Sequence, residues 1–381
     1  MSKKLLRLTK FLSISFCVLA TALHSATEVP AEVSDDWQLA LLGWSYKFPN
    51  DHGAHPDFKT EWWYFTGNLK SDDGKEFGYQ LTFFRQGVRP PSDRSPTTSR
   101  FVVNHVQFVH FAISDLSDGQ FYFHQDLTRG AFGESGFNRN DRLTWVENNK
   151  LELLPDGGFR IVGQGPSKSI DLILKPAKPL VLHGNDGISQ KAAGPGRASH
   201  YYSFTRLTTT GELRIGDDTF PVRGLSWYDH EWATNQLTTD QKGWDWFSLQ
   251  FDDGSELMLF QIRTNDGGRD PFSGGTFIHA DGSTTPIKDP DFALKPLRTW
   301  KSDASGANYP VTWELTIDSL DLKLDISARV DNQELVLSPI SYWEGSIRAV
   351  GTRSGRRVSA LGYLEMTGYA GPIVGIQAAS E

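Results

Sequence analysis

The chain has almost no cysteine. Its one cysteine is Cys17, and the remaining residues of the 381 hold none. A disulfide framework is therefore excluded, and so is a cysteine-ligated zinc site. No His-Glu-x-x-His spacing and no glycine-rich phosphate loop between a strand and a helix occurs. Positive charge is also short, with 38 Lys and Arg against 46 Asp and Glu. An acidic surface repels phosphate backbones, so nucleic acid is not an expected partner. Long apolar runs are missing as well. Phe11 to Ala22 is the main one, and it is too short to cross a bilayer as a stable helix.

That run follows Lys3, Lys4, Arg7 and Lys10, and small residues come after it. Together they predict a signal peptide over residues 1–26. Ala20-Thr21-Ala22 is the clearest cleavage triplet, and a cut after Ala26 is the later alternative. Phe16 before Cys17 is too bulky for a lipoprotein signal. Cutting after Ala26 removes four cations and no acid, which takes the net charge from −8 to −12. The expectation is a soluble periplasmic or secreted protein that folds on its core alone.

No stretch of helical period stands out beyond the signal. Short β-branched and aromatic runs alternate with Asp-Gly and Gly-Gly turns, as in Glu61 to Leu69, Phe77 to Phe84, Trp244 to Phe251 and Glu256 to Arg263. This pattern predicts an all-β sandwich or barrel. Gln86 to Arg100, with Pro90, Pro91 and Pro96, and the glycine-rich His183 to Ser199 read as loops. An internal repeat sharpens the prediction. Trp62-Trp63-Tyr64-Phe65, Asp72-Asp73-Gly74 and a strand ending in Arg85 are echoed by Trp244-Asp245-Trp246-Phe247, Asp252-Asp253-Gly254 and a strand ending in Arg263. Two related barrels in tandem fit this repeat.

The densest mixture of proton-transfer groups and aromatics is Gly224-Leu225-Ser226-Trp227-Tyr228-Asp229-His230-Glu231-Trp232. If it is extended, Asp229 and Glu231 face one side while His230 and Trp232 face the other. With twelve Trp and 24 Phe in the chain, an apolar ligand cavity is expected. Such a wall raises the pKa of an unpaired carboxyl, and histidine is the usual group for handling water. Asp229, His230, Trp232 and Asp245 are the catalytic candidates. Glu61, Trp62, Trp63, Tyr64, Tyr201, Tyr228, Trp244 and Trp246 are the candidates for substrate binding. All are placed around one pocket at the barrel junction. Bland readings stand beside these: Asp229 as a turn residue, His230 as a structural histidine, the tryptophans as core. His105 and His110 have opposite parity on one strand, so they cannot form a metal pair. Gly224-Leu225-Ser226-Trp227-Tyr228 lacks the closing glycine of a nucleophile elbow.

Six motifs in order resemble the AttH/CrtC family. They are Glu61-Trp62-Trp63-Tyr64-Phe65-Thr66-Gly67, Gly187-Ile188-Ser189 with Lys191, Ser199-His200-Tyr201-Tyr202-Ser203, Asp229-His230-Glu231-Trp232, Gly243-Trp244-Asp245-Trp246-Phe247 and Gly362-Tyr363-Leu364-Glu365-Met366-Thr367-Gly368-Tyr369. The resemblance runs from about Ser45 to Gly371 and implies two lipocalin-like antiparallel barrels, over residues 45–228 and 229–377. Relatives in that family include carotenoid 1,2-hydratases and a hydratase of a prenylated isoflavonoid. Ala233 follows Trp232 where those hydratases carry glycine, so the chain resembles the secreted AttH branch more closely. Members of that branch are labelled predicted hydrolases and are often encoded beside ABC transporter components. Aromatics in number without an anion-binding loop predict a lipophilic ligand, isoprenoid or acyl, and no cofactor is expected. Two activities are expected, hydration of a C=C bond or carriage of a lipid for an ABC transporter of the envelope, with a hydrolase as the weaker third. Oligomeric state is not readable.

Overall fold

The computed structural model describes residues 37–94, 99, 101–139, 141–337 and 340–371. The expected signal peptide over residues 1–26 lies outside the described residues, as do residues 372–377 of the expected second barrel. Nearly all the regular structure described is antiparallel strand. The first half of the chain supplies Thr60–Ser71 (β1), Glu76–Gly87 (β2), His105–Asp115 (β3), Gln120–Thr128 (β4), Ser135–Arg139 (β5), Arg142–Val146 (β6) and Asn149–Leu153 (β7). It continues with Phe159–Gly165 (β8), Lys168–Pro176 (β9), Val181–Leu182 (β10), Ile188–Gln190 (β11), Ala198–Ile215 (β12) and Asp218–Ala233 (β13). The second half supplies Gln241–Phe251 (β14), Glu256–Thr264 (β15), Gly274–Ile278 (β16), Thr284–Lys288 (β17) and Phe292–Lys301 (β18). Asn308–Ile317 (β19), Leu322–Ala328 (β20), Glu334–Leu335 (β21), Tyr342–Arg353 (β22) and Arg356–Met366 (β23) complete it.

The strands form two curled sheets. Their orders are β4-β3-β2-β1-β13-β12-β9-β8-β7-β6-β5 and β17-β16-β15-β14-β23-β22-β20-β19-β18. The first sheet rolls its ends together: Asn149 donates to Asp126 Oδ2 (2.9 Å) and Gln107 to the Gly136 carbonyl (3.1 Å). In each sheet the last long strand returns beside the first, β13 against β1 and β23 against β14. The repeat read from the sequence is thus a repeat of topology, with β1 and β14 as equivalent strands. The fold is all-β, a tandem of lipocalin-like barrels.

Period-2 alternation divides three cores. Trp63, Phe65 and Leu69 fill the first barrel, and Phe247, Leu249 and Phe251 fill the second. Residues of the opposite parity, Tyr64 on β1 and Trp246 on β14, join Trp227, Met258, Phe260, Ile262 and Tyr363 in a third cluster between the sheets. Strands buried on both faces explain the near-continuous apolar runs. Polar bonds cross the same junction. Tyr64 donates to Glu344 Oε1 (2.6 Å) and Gln250 to the Thr205 and Ser226 carbonyls (2.8 and 3.0 Å).

One boundary differs from expectation. Residues 229–233 do not open the second barrel. β13 continues to Ala233 and is paired on both edges, to β1 and to β12, so the crossing segment is residues 234–240. Glycine and charge in this stretch imitate a linker. Gly224 is there because a Cβ would lie 2.0 Å from the Asn68 carbonyl of the adjacent strand.

Candidate functional site

β13 presents its alternate residues to two separate places. His230 and Trp232 point into the first barrel, and Asp229 and Glu231 point out of it toward the second.

Inside the barrel His230 is sealed. Its Nε2 lies 3.0 Å from Glu61 Oε1 and its Nδ1 lies 3.0 Å from the Tyr202 hydroxyl. Trp63 stacks on it at 4.8 Å, and Trp232 stacks on His55 at 3.7 Å. Glu61 also takes Arg85 Nε (2.8 Å) and His55 Nδ1 (2.8 Å). Burial alone would raise Glu61, but the Arg85 charge and the bonds from His230 and His55 hold it well below the usual range. Burial draws His230 down, so it sits as neutral imidazole. His55, Glu61 and His230 bring three ligand atoms within 4.8 Å of one another. These donors are engaged with one another and with Arg85, Glu61 taking a ring nitrogen of each histidine and the guanidinium. Glu61, Trp63, Tyr228, His230 and Trp232 are thus the barrel's interior, and the pocket does not include them. Asp245 is also outside it. It is buried at the end of the second barrel, where it accepts from Gln261 (2.7 Å) and faces Arg263 (3.2 Å).

Between the barrels lies a cavity of 380 Å³. Its apolar wall includes Trp62, Phe84, Phe108, Trp244, Trp246 and Phe260. Its titratable lining includes Asp229, Glu231, Glu365, Lys191 and His110, with Arg85, Tyr64 and Tyr342. Asp229 accepts from Trp227 Nε1 (2.6 Å), Tyr201 (2.8 Å) and Ser203. Even so, burial pushes it up to about 8, aided by the charge of Glu231. Glu365 accepts from Trp244 Nε1 (2.8 Å) and is pushed up to about 7, first by burial and then by Glu231. Glu231 accepts from Ser199 (2.5 Å) and lies 3.8 Å from Lys191 Nζ. His110 is driven down to about 3 by burial and shares a 2.8 Å bond with Tyr342. Tyr201 is one layer behind the wall, where its hydroxyl accepts from Trp246 Nε1 (3.1 Å) and donates a hydrogen bond to Asp229 Oδ2 (2.8 Å).

Asp229 and Glu365 are equivalents of the repeat. Asp229 stands opposite Tyr64 on β1, and Glu365 stands opposite Trp246 on β14. Each barrel therefore contributes an equivalent carboxyl from its returning strand to one apolar space, and the first barrel adds Glu231. Of the expected residues, Trp62, Tyr64, Asp229, Trp244 and Trp246 meet there. Asp229 and His230 do not share a site, because neighbours on a strand point apart. Glu231, Glu365 and Lys191 were not among the candidates. Parity marked Glu231, and the repeat, extended to its returning strands, marks Glu365.

These features define an AttH-like protein: the family's sequence pattern matches residues 40–369, and the chain belongs to that family. The crystal structure of a putative AttH from Nitrosomonas europaea superposes with a TM-score of 0.78 at 32% identity, covering 87% of this chain and 99% of that one. Among curated proteins, the dehydratase asqC of Emericella nidulans is 23% identical over 61% of this chain and 69% of its own length. Kievitone hydratase of Fusarium solani subsp. phaseoli is 29% identical over 42% of this chain and 45% of its own, less than half of either.

Proposed function

We propose that the chain adds water to, or removes it from, a carbon–carbon double bond of a lipophilic molecule, isoprenoid or acyl, held between the barrels. The observation that carries this is the pair Asp229 and Glu365, two raised carboxyls facing one aromatic cavity. Near neutral pH the one pushed further up keeps its proton while the other is partly ionised, which supplies an acid and a base together. In hydration the Asp229 hydroxyl gives its proton to one alkene carbon, and the π pair forms the new C–H bond. The cation left on the other carbon faces the Trp62, Trp244 and Trp246 rings, each worth about 0.5–2 kcal/mol to it in a dry site. Water adds there, and its released proton goes to the Glu365 carboxylate. Proton exchange with solvent then restores the pair. A dehydratase and a hydratase among the relatives support the same chemistry.

The test is incubation with a panel of lipophilic alkenes and tertiary alcohols, read by mass spectrometry for gain or loss of one water. Turnover should fall by roughly 10²–10⁴ in Asp229→Asn and in Glu365→Gln. Saturable binding with no conversion of any of them would overturn the reading and leave a lipid carrier. We place this activity in the periplasm, on the basic and apolar start of the chain, with an ABC transporter as the partner the resemblance suggests.

A further inference from the structure

Lys191 is the feature the two-carboxyl chemistry leaves unused. It follows β11 directly, and its backbone is held by Arg197, through N–H to the Arg197 carbonyl (2.8 Å), and by Gln241, which donates to the Lys191 carbonyl (2.8 Å). The residue is only 9% exposed, and it lines the cavity. Nζ stands 4.1 Å from the Phe260 ring centre and 5.5 Å from that of Tyr201. Its nearest carboxylate, Glu231, is 3.8 Å away, beyond hydrogen-bond reach. No acceptor among the described residues takes its protons. A second donor lies on the same wall. Gln236 is 3% exposed, lines the cavity, and its Nε2 has no acceptor among the described residues. The two segments touch: Arg197 bridges to Asn235 and donates to the Leu237 carbonyl (3.5 Å).

Gln236 Nε2 is a buried donor without an acceptor, which is costly, and the Lys191 ammonium, held only by the 3.8 Å ion pair to Glu231, opens on the same cavity wall. The cavity holds carboxyls in plenty, but each of these already accepts from its own neighbours. An oxygen of a bound ligand would meet both donors at once. We propose that Lys191, helped by Gln236, holds the oxygen of a carbonyl conjugated to the double bond, so that the substrate is a lipophilic α,β-unsaturated carbonyl compound or its β-hydroxy hydrate. This rests on the hydration reading and specifies it. The electrons then have a place to go. Water attacks the β-carbon and loses its proton to the Glu365 carboxylate. The π pair moves through the α-carbon to the carbonyl oxygen, giving an enolate held by the Lys191 ammonium. The enolate collapses to the carbonyl as its α-carbon takes the Asp229 proton. One water is added, and the reverse sequence removes it. For this substrate class the enolate takes the place of the cation in the hydration described above, with the same acid and base. Burial draws Lys191 down, while the Glu231 and Asp229 charges push it back up.

The experiment uses the folded chain and two probes of equal heavy-atom count, the enone (E)-3-decen-2-one and the alkene 1-undecene. Quenching of the cavity tryptophans reports binding, and ultraviolet absorbance reports loss of the enone. Wild type should bind the enone at least tenfold more tightly than the alkene. Lys191→Met should abolish that preference while binding the alkene as well as wild type does, which also shows that it folds. Lys191→Arg should keep part of it. A preference that survives in Lys191→Met, or its absence in wild type, overturns the proposal, as does enone quenching that never saturates. Asp229→Asn and Glu365→Gln separate the two readings: both should keep the binding preference and lose conversion. A wild type that prefers the enone but never hydrates it upholds the anchor and removes the hydration reading.

Discussion

Replacing Asp229 by asparagine should change the pH dependence of stability more than its level. The carboxyl is held at about 8 in the fold, against 3.8 when exposed. Between those values the native state keeps a proton that the unfolded chain has lost. Unfolding there releases a proton, so stability falls as pH rises through the window, and it is level below 3.8 and above 8. At about 1.4 kcal/mol per pH unit, the whole window is worth about 6 kcal/mol. Relaxation and water entry reduce such buried-charge penalties, and we expect roughly 3 kcal/mol between pH 5 and pH 9. Asparagine has no such term. Its amide oxygen at the Oδ1 position still takes Trp227 and Ser203, while its NH₂ meets the Tyr201 hydroxyl, which must turn to accept. That turn costs about 1 kcal/mol at every pH. The variant should therefore be slightly less stable than wild type at pH 5 and more stable at pH 9, with the two curves crossing near neutrality. Urea unfolding followed by tryptophan fluorescence at pH 5, 7 and 9 measures this directly. Parallel curves would mean that Asp229 is ionised in the fold, and its role as proton donor would fall with that result.

Turnover should follow a bell-shaped pH profile with limbs near 7 and near 8, from Glu365 ionising and Asp229 losing its proton; Glu365→Gln should erase the lower limb in whatever rate remains. Glu61→Ala leaves Arg85 buried without its partner and should cost about 3–5 kcal/mol in a urea titration. His230→Ala should cost about 2–4 kcal/mol by loss of packing and bonding, yet each folded molecule should still turn over substrate at close to the wild-type rate. A catalytic collapse in a folded His230 variant would contradict its placement inside the barrel. Gly224→Ala should lower the unfolding free energy by about 1–3 kcal/mol in a urea titration, because its new Cβ meets the Asn68 carbonyl at 2.0 Å.

Much of the fold was written in local signals. Asp-Gly turns and two-residue alternation are short-range, and they give the strands. The echo of Trp62-Trp63-Tyr64 in Trp244-Asp245-Trp246 gives the tandem, and it gives the cavity tryptophans because equivalent strands present equivalent faces. What local signals cannot supply is the identity of each face. Parity separates Asp229 from His230, but which of them meets a cavity depends on where the second sheet packs. Glu365 joins Asp229 only through register along β14 and β23, more than a hundred residues downstream. Lys191 sits after the three-residue strand β11 inside a glycine-rich loop, where no periodicity tells a side chain's direction. His230 drew attention because histidine beside carboxylates suggests proton transfer; in the fold its partners are Glu61 and Tyr202, and it is spent on holding the barrel together.

The division of β13 has a consequence for how such a protein can be remade. Along residues 227–232 every second letter belongs to the barrel filling and the letters between belong to the cavity wall. The chemistry and the scaffold are thus interleaved on one strand without being mixed. Positions 229 and 231, with 365 and 367 on the equivalent strand, can be randomised together while 228, 230 and 232 are kept. A library built on that comb should yield folded proteins with new reactive walls, whereas one built on the contiguous block 228–232 should yield mostly unfolded chains.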